Sequence, residues 1–563
     1  MKNIFNISKH LNPLLKFRYF ILIIMQIVVG IIELISITSI IPLIDILFGE
    51  NEILQIFNTK INLNIEPEKF LILISLIFFL RFLIFIFYYY HQSKFSYDIQ
   101  KYFSLKLFKH YINKNYLFHL GNNSSYFLRN IFKETNELTQ IFIFLITLFS
   151  EIIISLFIVF FIIFYLGSKF LIILLILTPF FFVYIKIINL KLQKLGEERI
   201  KYDGERIKII QETFKNIKNI KLFFKEKFLT KTYSKFNTIA SDVSGLALFF
   251  KLIPKTVIEF FAVIFLFVFI YMNLEKSNAE IFSTLAVLAI GFFKILPSFG
   301  KIISTINSIK FGEATLYATN EVLNSIDKSS EEYVENKKSI SEKNEFYSLV
   351  LKKINFKYEK KNIFENTNFE INKYDKIGLI GESGVGKSTF LDILSGLLEA
   401  DSGSIIFNGK SVEKIPNNFR EKIGYISQNS IILDDTLKNN VIFGDENIDE
   451  KKFREVLEIS GLLKVFKNID EKISLGEEGS QISGGQKQRI NIARVLYKNP
   501  EFILMDEPTS ALDKENEDEI LESIFNIFKD KTILFVTHKK ENLKFVNKIH
   551  AILDKKIILD SNS

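Results

Sequence analysis

Residues 381 to 389 read Gly381-Glu382-Ser383-Gly384-Val385-Gly386-Lys387-Ser388-Thr389. Glycines at this spacing let backbone N–H groups close around phosphate oxygens, and a helix starting at the lysine favours the negative charge. Lys387 is then placed to reach the β and γ phosphates of a nucleotide, and Ser388 to ligate Mg²⁺. A second constellation is Phe502-Ile503-Leu504-Met505-Asp506-Glu507, an apolar strand ending in two carboxylates. Asp506 is suited to the Mg²⁺ shell and Glu507 to polarising an attacking water. Pro508, Thr509 and Ser510-Ala511-Leu512-Asp513 follow, and His538 lies just beyond the apolar strand Thr532–Val536. Alone, a strand ending in Asp-Glu or a single histidine is an ordinary structural feature. In this series His538 reads as a contact to the γ-phosphate. The third segment, Ser483-Gly484-Gly485-Gln486, is a tetrapeptide that an ordinary phosphate-loop enzyme does not need. Together the three predict hydrolysis of ATP with Mg²⁺.

These residues need a scaffold that presents loops at strand ends. From residue 346 onward, short apolar runs at 347–351, 376–380, 503–505 and 532–536 alternate with a helical pattern such as 387–398. Alternating strands and helices predict an α/β nucleotide-binding fold over 347–563. The charged, Ser-rich stretch 326–346 reads as a linker between this domain and what precedes it.

What precedes it is built for a membrane. Apolar runs near 19–47, 68–90, 140–166, 169–189, 246–272 and 279–300 are each long enough to span a bilayer. They predict an all-α transmembrane domain of six helices over 1–325. The first run is expected to be retained, since no small-residue cleavage site follows residues 1–18. Segment 91–139 carries Lys94, Lys101, Lys106, Lys109, Lys114, Arg129 and Lys133, and 190–245 is richer still. Segments 48–67, 167–168 and 273–278 are nearly free of Lys and Arg. This asymmetry places both termini and the two long loops on the cytoplasmic side, and the two short turns and the 48–67 loop outside. Helical spacing of Ile209, Ile210, Phe214 and Ile217 makes the long loops helical extensions suited to carrying force. Segment 48–67, with Ile53-Leu54-Gln55-Ile56-Phe57, is either a surface amphipathic helix touching membrane lipid or a plain loop.

The chain has 563 residues, 48% of them hydrophobic and 24% charged, with a formal net charge of +8 and no cysteine. The absence of cysteine excludes a disulfide framework and a cysteine-peptidase domain. The basic residues are spread through membrane-proximal loops, which argues against nucleic acid as a partner. The charged residues inside the apolar runs are Glu33, Arg81, Glu151, Lys255, Glu259 and Lys294. Arg81, Lys255 and Lys294 lie at similar depth and could hold an anionic head group such as pyrophosphate. Alternatively they pair with the three glutamates as structural ion pairs.

The order of motifs over roughly 347–560 resembles the ATPase domain of the ABC transporter superfamily. Six spans before one such domain resemble an exporter half-transporter, which implies a homodimer. By the resemblance, Ser483, Gly484, Gly485 and Gln486 cap the nucleotide held by the partner's phosphate loop. It further implies that Tyr358 stacks on adenine, Gln428 senses Mg²⁺ and water, and residues 510–513 cross the dimer interface. Ile482, where Leu is usual, and Glu478, where Arg is frequent, depart from the pattern without touching ATP chemistry. Ile32-Glu33 through Pro42, Arg81 with Tyr88-Tyr89-Tyr90-His91, and Leu296-Pro297-Ser298 resemble the flippases for lipid-linked oligosaccharide in bacterial N-glycosylation. That likeness implies a polyprenyl-pyrophosphate-linked glycan as substrate, the alternative being another lipid, a peptide or a hydrophobic drug.

Overall fold

In the computed structural model, the described residues are 2–39, 67–166, 169–272, 278–337, 345–359, 361–445, 447–466, 474–509 and 514–560. The predicted 48–67 feature and residues 510–513 lie outside them, save Pro67, which opens a helix. The chain forms two compact units. One comprises Met1–Lys114 and Gly121–Glu332, the other Asn115–Leu120 and Tyr333–Ser563.

The first unit is helical. Within the described residues, the apolar runs lie on helices Pro13–Thr38, Pro67–Ile112, Thr135–Leu166, Lys169–Lys215, Glu226–Met272 and Asn278–Phe311. Among the described residues, Pro13–Glu33, Leu71–Ile112 and Ser124–Phe160 are long and apolar enough to cross a membrane. The Pro67–Ile112 helix has 46 residues. At 1.5 Å per residue it is roughly 70 Å long, more than twice a hydrocarbon core of about 30 Å. Beyond the apolar part it keeps a buried stripe at every fourth residue: Phe95, Ile99, Phe103, Leu107 and Tyr111. That spacing keeps one face against a neighbour. Phe103 stacks on Phe142 of Thr135–Leu166, with ring centroids 6.5 Å apart.

Pro254 falls inside the Glu226–Met272 helix and cannot donate to the carbonyl four residues back. That carbonyl, on Phe250, instead accepts from Tyr184 Oη at 3.0 Å and from the buried Asn307 Nδ2 at 2.8 Å. A second polar cluster ties three segments together. Arg199 Nη2 lies 3.1 Å from Glu134 Oε2 and 2.7 Å from Thr315 Oγ1, and Thr315 Oγ1 donates to the same Glu134 oxygen at 2.6 Å. Asp203 adds ion pairs with Lys133, Arg206 and Arg199. Glu134 ends a π-helical turn, Arg129–Glu134, between Ser124–Leu128 and Thr135–Leu166. The stretch expected to be a linker begins as helix: Glu313–Lys337 runs through it, and 338–344 lie outside the described residues.

In the second unit two sheets flank a shared core. An antiparallel sheet has the order β2-β1-β4-β5, formed by Lys361–Asn372, Ser348–Tyr358, Ser402–Phe407 and Lys410–Val412. The larger sheet has the order β10-β9-β3-β8-β7-β6, with β3 Lys376–Ile380, β6 Ile423–Ile426, β7 Phe502–Asp506, β8 Thr532–Val536, β9 Lys548–Leu553 and β10 Lys556–Leu559. All its pairings are parallel except β9 with β10. β8 is buried at every residue and β7 at all but its last, as a sheet covered on both faces requires. Phenylalanine fills the core: Phe346, Phe419 and Phe502 stack on one another at 5.0, 5.5 and 5.8 Å.

Candidate functional site

The carboxyl ends of β3, β8, β7 and β6 lie side by side, and each delivers one part of the site. In open α/β sheets this is the edge where ligands bind. β3 runs into the phosphate loop and then into helix Lys387–Leu394. Gly386 sits at φ +113°, and a Cβ there would stand 2.6 Å from Ile363 Cγ2. Only glycine satisfies both the backbone angle and the packing. The Lys387 ammonium, its side chain buried, donates to the carbonyls of Gly381 at 2.9 Å and Glu382 at 3.2 Å. The loop thus curls around its own lysine, with Gly384 also in the left-handed region and Thr389 in the first helical turn.

β7 ends in Asp506, whose carboxylate accepts hydrogen bonds from Ser388 and from Tyr425 Oη, the latter at 3.3 Å. Burial pushes Asp506 up from the ordinary carboxylate range, against the pull of those two donors. An aligned hydroxyl and carboxylate are the donor set that Mg²⁺ takes beside a nucleotide, so Ser388 and Asp506 fit that ion. Glu507 follows at φ +45°, an unusual angle for a residue with a side chain. Three partners converge on its carboxylate. Gln428 Nε2 donates to Oε2 at 3.3 Å, His538 Nδ1 lies 3.4 Å from Oε2, and Lys387 Nζ lies 3.7 Å from Oε1. Gln428 arrives from β6 and His538 from β8. Four segments far apart in sequence therefore meet on one carboxylate.

Tyr358 ends β1, in edge contact with Phe356. Ser483-Gly484-Gly485-Gln486 forms the start of helix Gly484–Lys498. Ser483 N donates to Gln486 Oε1 at 2.8 Å and Gln486 N to Ser483 Oγ at 3.3 Å, a reciprocal capping box. Ser483 and Gly484 are exposed at the start of this 15-residue helix, whose amino-terminal N–H groups and dipole suit an anion. Ile482 packs against the helical core cluster that includes Leu475. Glu478 adopts φ +50°, and its carbonyl accepts from Lys487 Nζ at 2.7 Å.

Two neighbours of the site went unread in the sequence. Tyr425 was hidden because nothing in an apolar strand marks which tyrosine bonds a carboxylate. Asp392, on the helix after the phosphate loop, is pushed up to about 6 by burial and then by the charge of Asp506.

Of the expected cations Arg81, Lys255 and Lys294, the first two each lie beside a carboxylate. Arg81 Nη2 lies 3.4 Å from Glu33 Oε1, and Lys255 Nζ lies 3.8 Å from Glu259 Oε1 one turn away. Glu151 pairs with Lys301 at 2.9 Å, a cation outside the expected set. The side chain of Lys294 is outside the described residues. Glu33 and Glu151 are buried, and a buried carboxylate requires a nearby cation. The structure therefore shows Arg81 and Lys255 in the ion-pair arrangement.

Comparison with known proteins agrees with this anatomy. A family profile described as "ABC transporter" matches residues 364–510. The putative export ATP-binding/permease protein of Rickettsia felis is 30% identical over 368 residues, covering 63% of this chain and 62% of that protein. A protein of Lactococcus lactis named for lacticin-481/lactococcin-DR transport and processing is 36% identical over 245 residues, 42% of this chain and 34% of its own. The matched stretches span about two fifths of the Rickettsia typhi and Rickettsia bellii relatives. The solved structure of a bacterial Atm1-family ABC exporter with ATP bound superposes with a TM-score of 0.74, covering 97% of this chain and 95% of that one at 17% identity, which shows a shared fold. A second profile, "ABC transporter transmembrane region", matches residues 19–301, half of the sequence, and the chain belongs to the ABC transporter family.

Proposed function

We propose that this chain hydrolyses ATP to drive export across the bacterial inner membrane, with the ATPase domain in the cytoplasm. The observation that carries this reading is the convergence of Gln428, His538 and Lys387 on Glu507, beside the Ser388–Asp506 pair. Glu507 orients and polarises a water whose oxygen attacks the γ-phosphorus. The bond from that phosphorus to the bridging oxygen breaks, leaving ADP and phosphate. Lys387 and His538 bear on the charge of the γ-phosphoryl oxygens. Bound Mg²⁺, held by Ser388 and Asp506 with Gln428 near, supplies neutralisation of the phosphate charge. Tyr358 offers a ring for adenine.

The cap at Ser483–Gln486 completes a site only if a second copy presents its own phosphate loop. The functional unit is accordingly a homodimer with two composite sites. For cargo, the motif likeness in the membrane half supports a polyprenyl-pyrophosphate-linked oligosaccharide moved from the inner to the outer leaflet. The pairing of Arg81 with Glu33 and Lys255 with Glu259 favours the second reading, export of another lipid, a peptide or a hydrophobic drug, because paired cations offer an anion less.

One reconstitution tests both levels. Wild-type protein in liposomes should hydrolyse ATP, and the Glu507→Gln variant should bind it yet turn over at least about a hundredfold more slowly, since the amide keeps the shape but not the basicity. Wild-type-like turnover in that variant refutes the assignment of the base. Labelled lipid-linked glycan that crosses only with hydrolysing protein supports the first cargo reading; glycan that stays put while another amphiphile crosses supports the second.

A further inference from the structure

Glu517 belongs to none of the motifs recognised in the sequence. It sits on helix Lys514–Ile527 in a run of charged residues, yet its side chain is only 5% exposed. Three donors reach its carboxylate. Thr509 Oγ1 donates to Oε1 at 2.8 Å, Asn542 Nδ2 donates to the same oxygen at 2.8 Å, and Lys539 Nζ donates to Oε2 at 2.5 Å. Burial opposes the charge, but the three donors outweigh it and hold the carboxyl below its ordinary range.

The partners matter for where they stand in the chain. Thr509 is two residues past Glu507, and Lys539 directly follows His538. Glu507 is held at φ +45°. Such an angle persists only when the backbone is fixed on both sides. Upstream it is fixed by the β7–β8 ladder and by Glu507 N donating to Val536 O at 3.1 Å. Downstream the fixed point is Thr509 on Glu517. Beyond β8, Lys539 N donates to Thr537 Oγ1 at 3.1 Å, and the Lys539 ammonium ends on Glu517. We propose that Glu517 is a positioning residue that locks the segment carrying Glu507 to the segment carrying His538, keeping the two side chains at their 3.4 Å separation. The inference rests on the ATP-hydrolysis reading above and deepens it: a shared buried carboxylate sets the geometry between the water-polarising group and the γ-phosphate contact.

The test compares Mg-ATP hydrolysis, nucleotide binding and Tm for the full chain with Glu517→Gln, Thr509→Val and Thr509→Ser. Glu517→Gln keeps the volume but turns an amide toward Lys539. It should lower kcat about tenfold or more, because small displacements of reacting groups are costly. KM for ATP and nucleotide affinity should stay within about twofold, since ground-state binding is untouched. Thr509→Val, which removes one hydroxyl, should lower kcat in the same direction, and Thr509→Ser should restore it. If Glu517→Gln fails to fold, the Thr509 pair decides the matter. Wild-type kcat in Glu517→Gln or in Thr509→Val overturns the proposal. So does a parallel loss of Tm, affinity and kcat in Thr509→Val that serine does not rescue. A wild-type chain without ATPase activity removes the hydrolysis reading and this one together, whereas an active wild type with unaffected variants removes this one alone.

Discussion

Each phosphate-site residue has a reason that its type alone can express. Gly386 is glycine because Ile363 occupies the space a Cβ would need, and Lys387 is charged because it faces backbone carbonyls and the Glu507 carboxylate. Asp392 shows the opposite case, a charge placed where it costs stability. Its carboxyl titrates at about 6 in the folded chain, against about 3.9 in an unfolded one. The folded state thus holds this proton more tightly, so the stabilisation is present below about pH 4 and is lost as pH rises through about 6. Asp392→Asn, neutral throughout, should raise Tm above wild type at pH 8 and leave it unchanged at pH 4. An equal difference at both values would show that ionisation is not the cause. The motif residues were legible because phosphate chemistry permits few substitutes. Glu517 was not, because in Lys514-Glu515-Asn516-Glu517-Asp518-Glu519 every acidic residue reads alike, and only the packing of the helix buries Glu517 while Asp518 and Glu519 stay accessible.

At the scale of elements, two of the strands that frame the site were readable to the residue, whereas β6 carried no such signal. Lys376–Ile380 and Thr532–Val536 are short, and each is one polar residue followed by an uninterrupted run without charge. The antiparallel sheet was harder to see. β1 and β2 break their alternation at register shifts, and Lys353 and Asn366 take positive φ. Each shift moves side chains to the other face, so the period-2 pattern is broken partway along each strand. The long helices were legible as apolar periodicity, but their polar ties were not. Arg199, Glu134 and Asp203 look like solvated charges in sequence and are all buried. Such a cluster makes a firm prediction. Arg199→Met leaves the buried Glu134 short of its cation, while Asp203 keeps Lys133 and Arg206, and should cost about 3–5 kcal/mol. Adding Glu134→Met should recover much of that loss. Thermal melts of the single and double variants check it, and a double variant no more stable than the single would show that Arg199 acts through something other than Glu134.

For the molecule as a whole, the separation of the Ser483 cap from the Lys387 loop into different elements sets the test of assembly. In a dimer pairing a Lys387→Ala chain with a Ser483→Ala chain, both defects fall on one composite site and the other site is intact. Such mixed dimers should hydrolyse ATP faster than either variant homodimer. Rates no higher than the homodimers would rule out composite sites that act independently. The grouping of Asn115–Leu120 with the ATPase unit has a further consequence. The polypeptide enters that unit early, leaves it, and returns more than two hundred residues later. No single cut divides the protein into its two parts. A fragment beginning at Tyr333 lacks six residues of its own unit, so the unit in its entirety is available only from the uncut chain or from pieces that supply that segment separately.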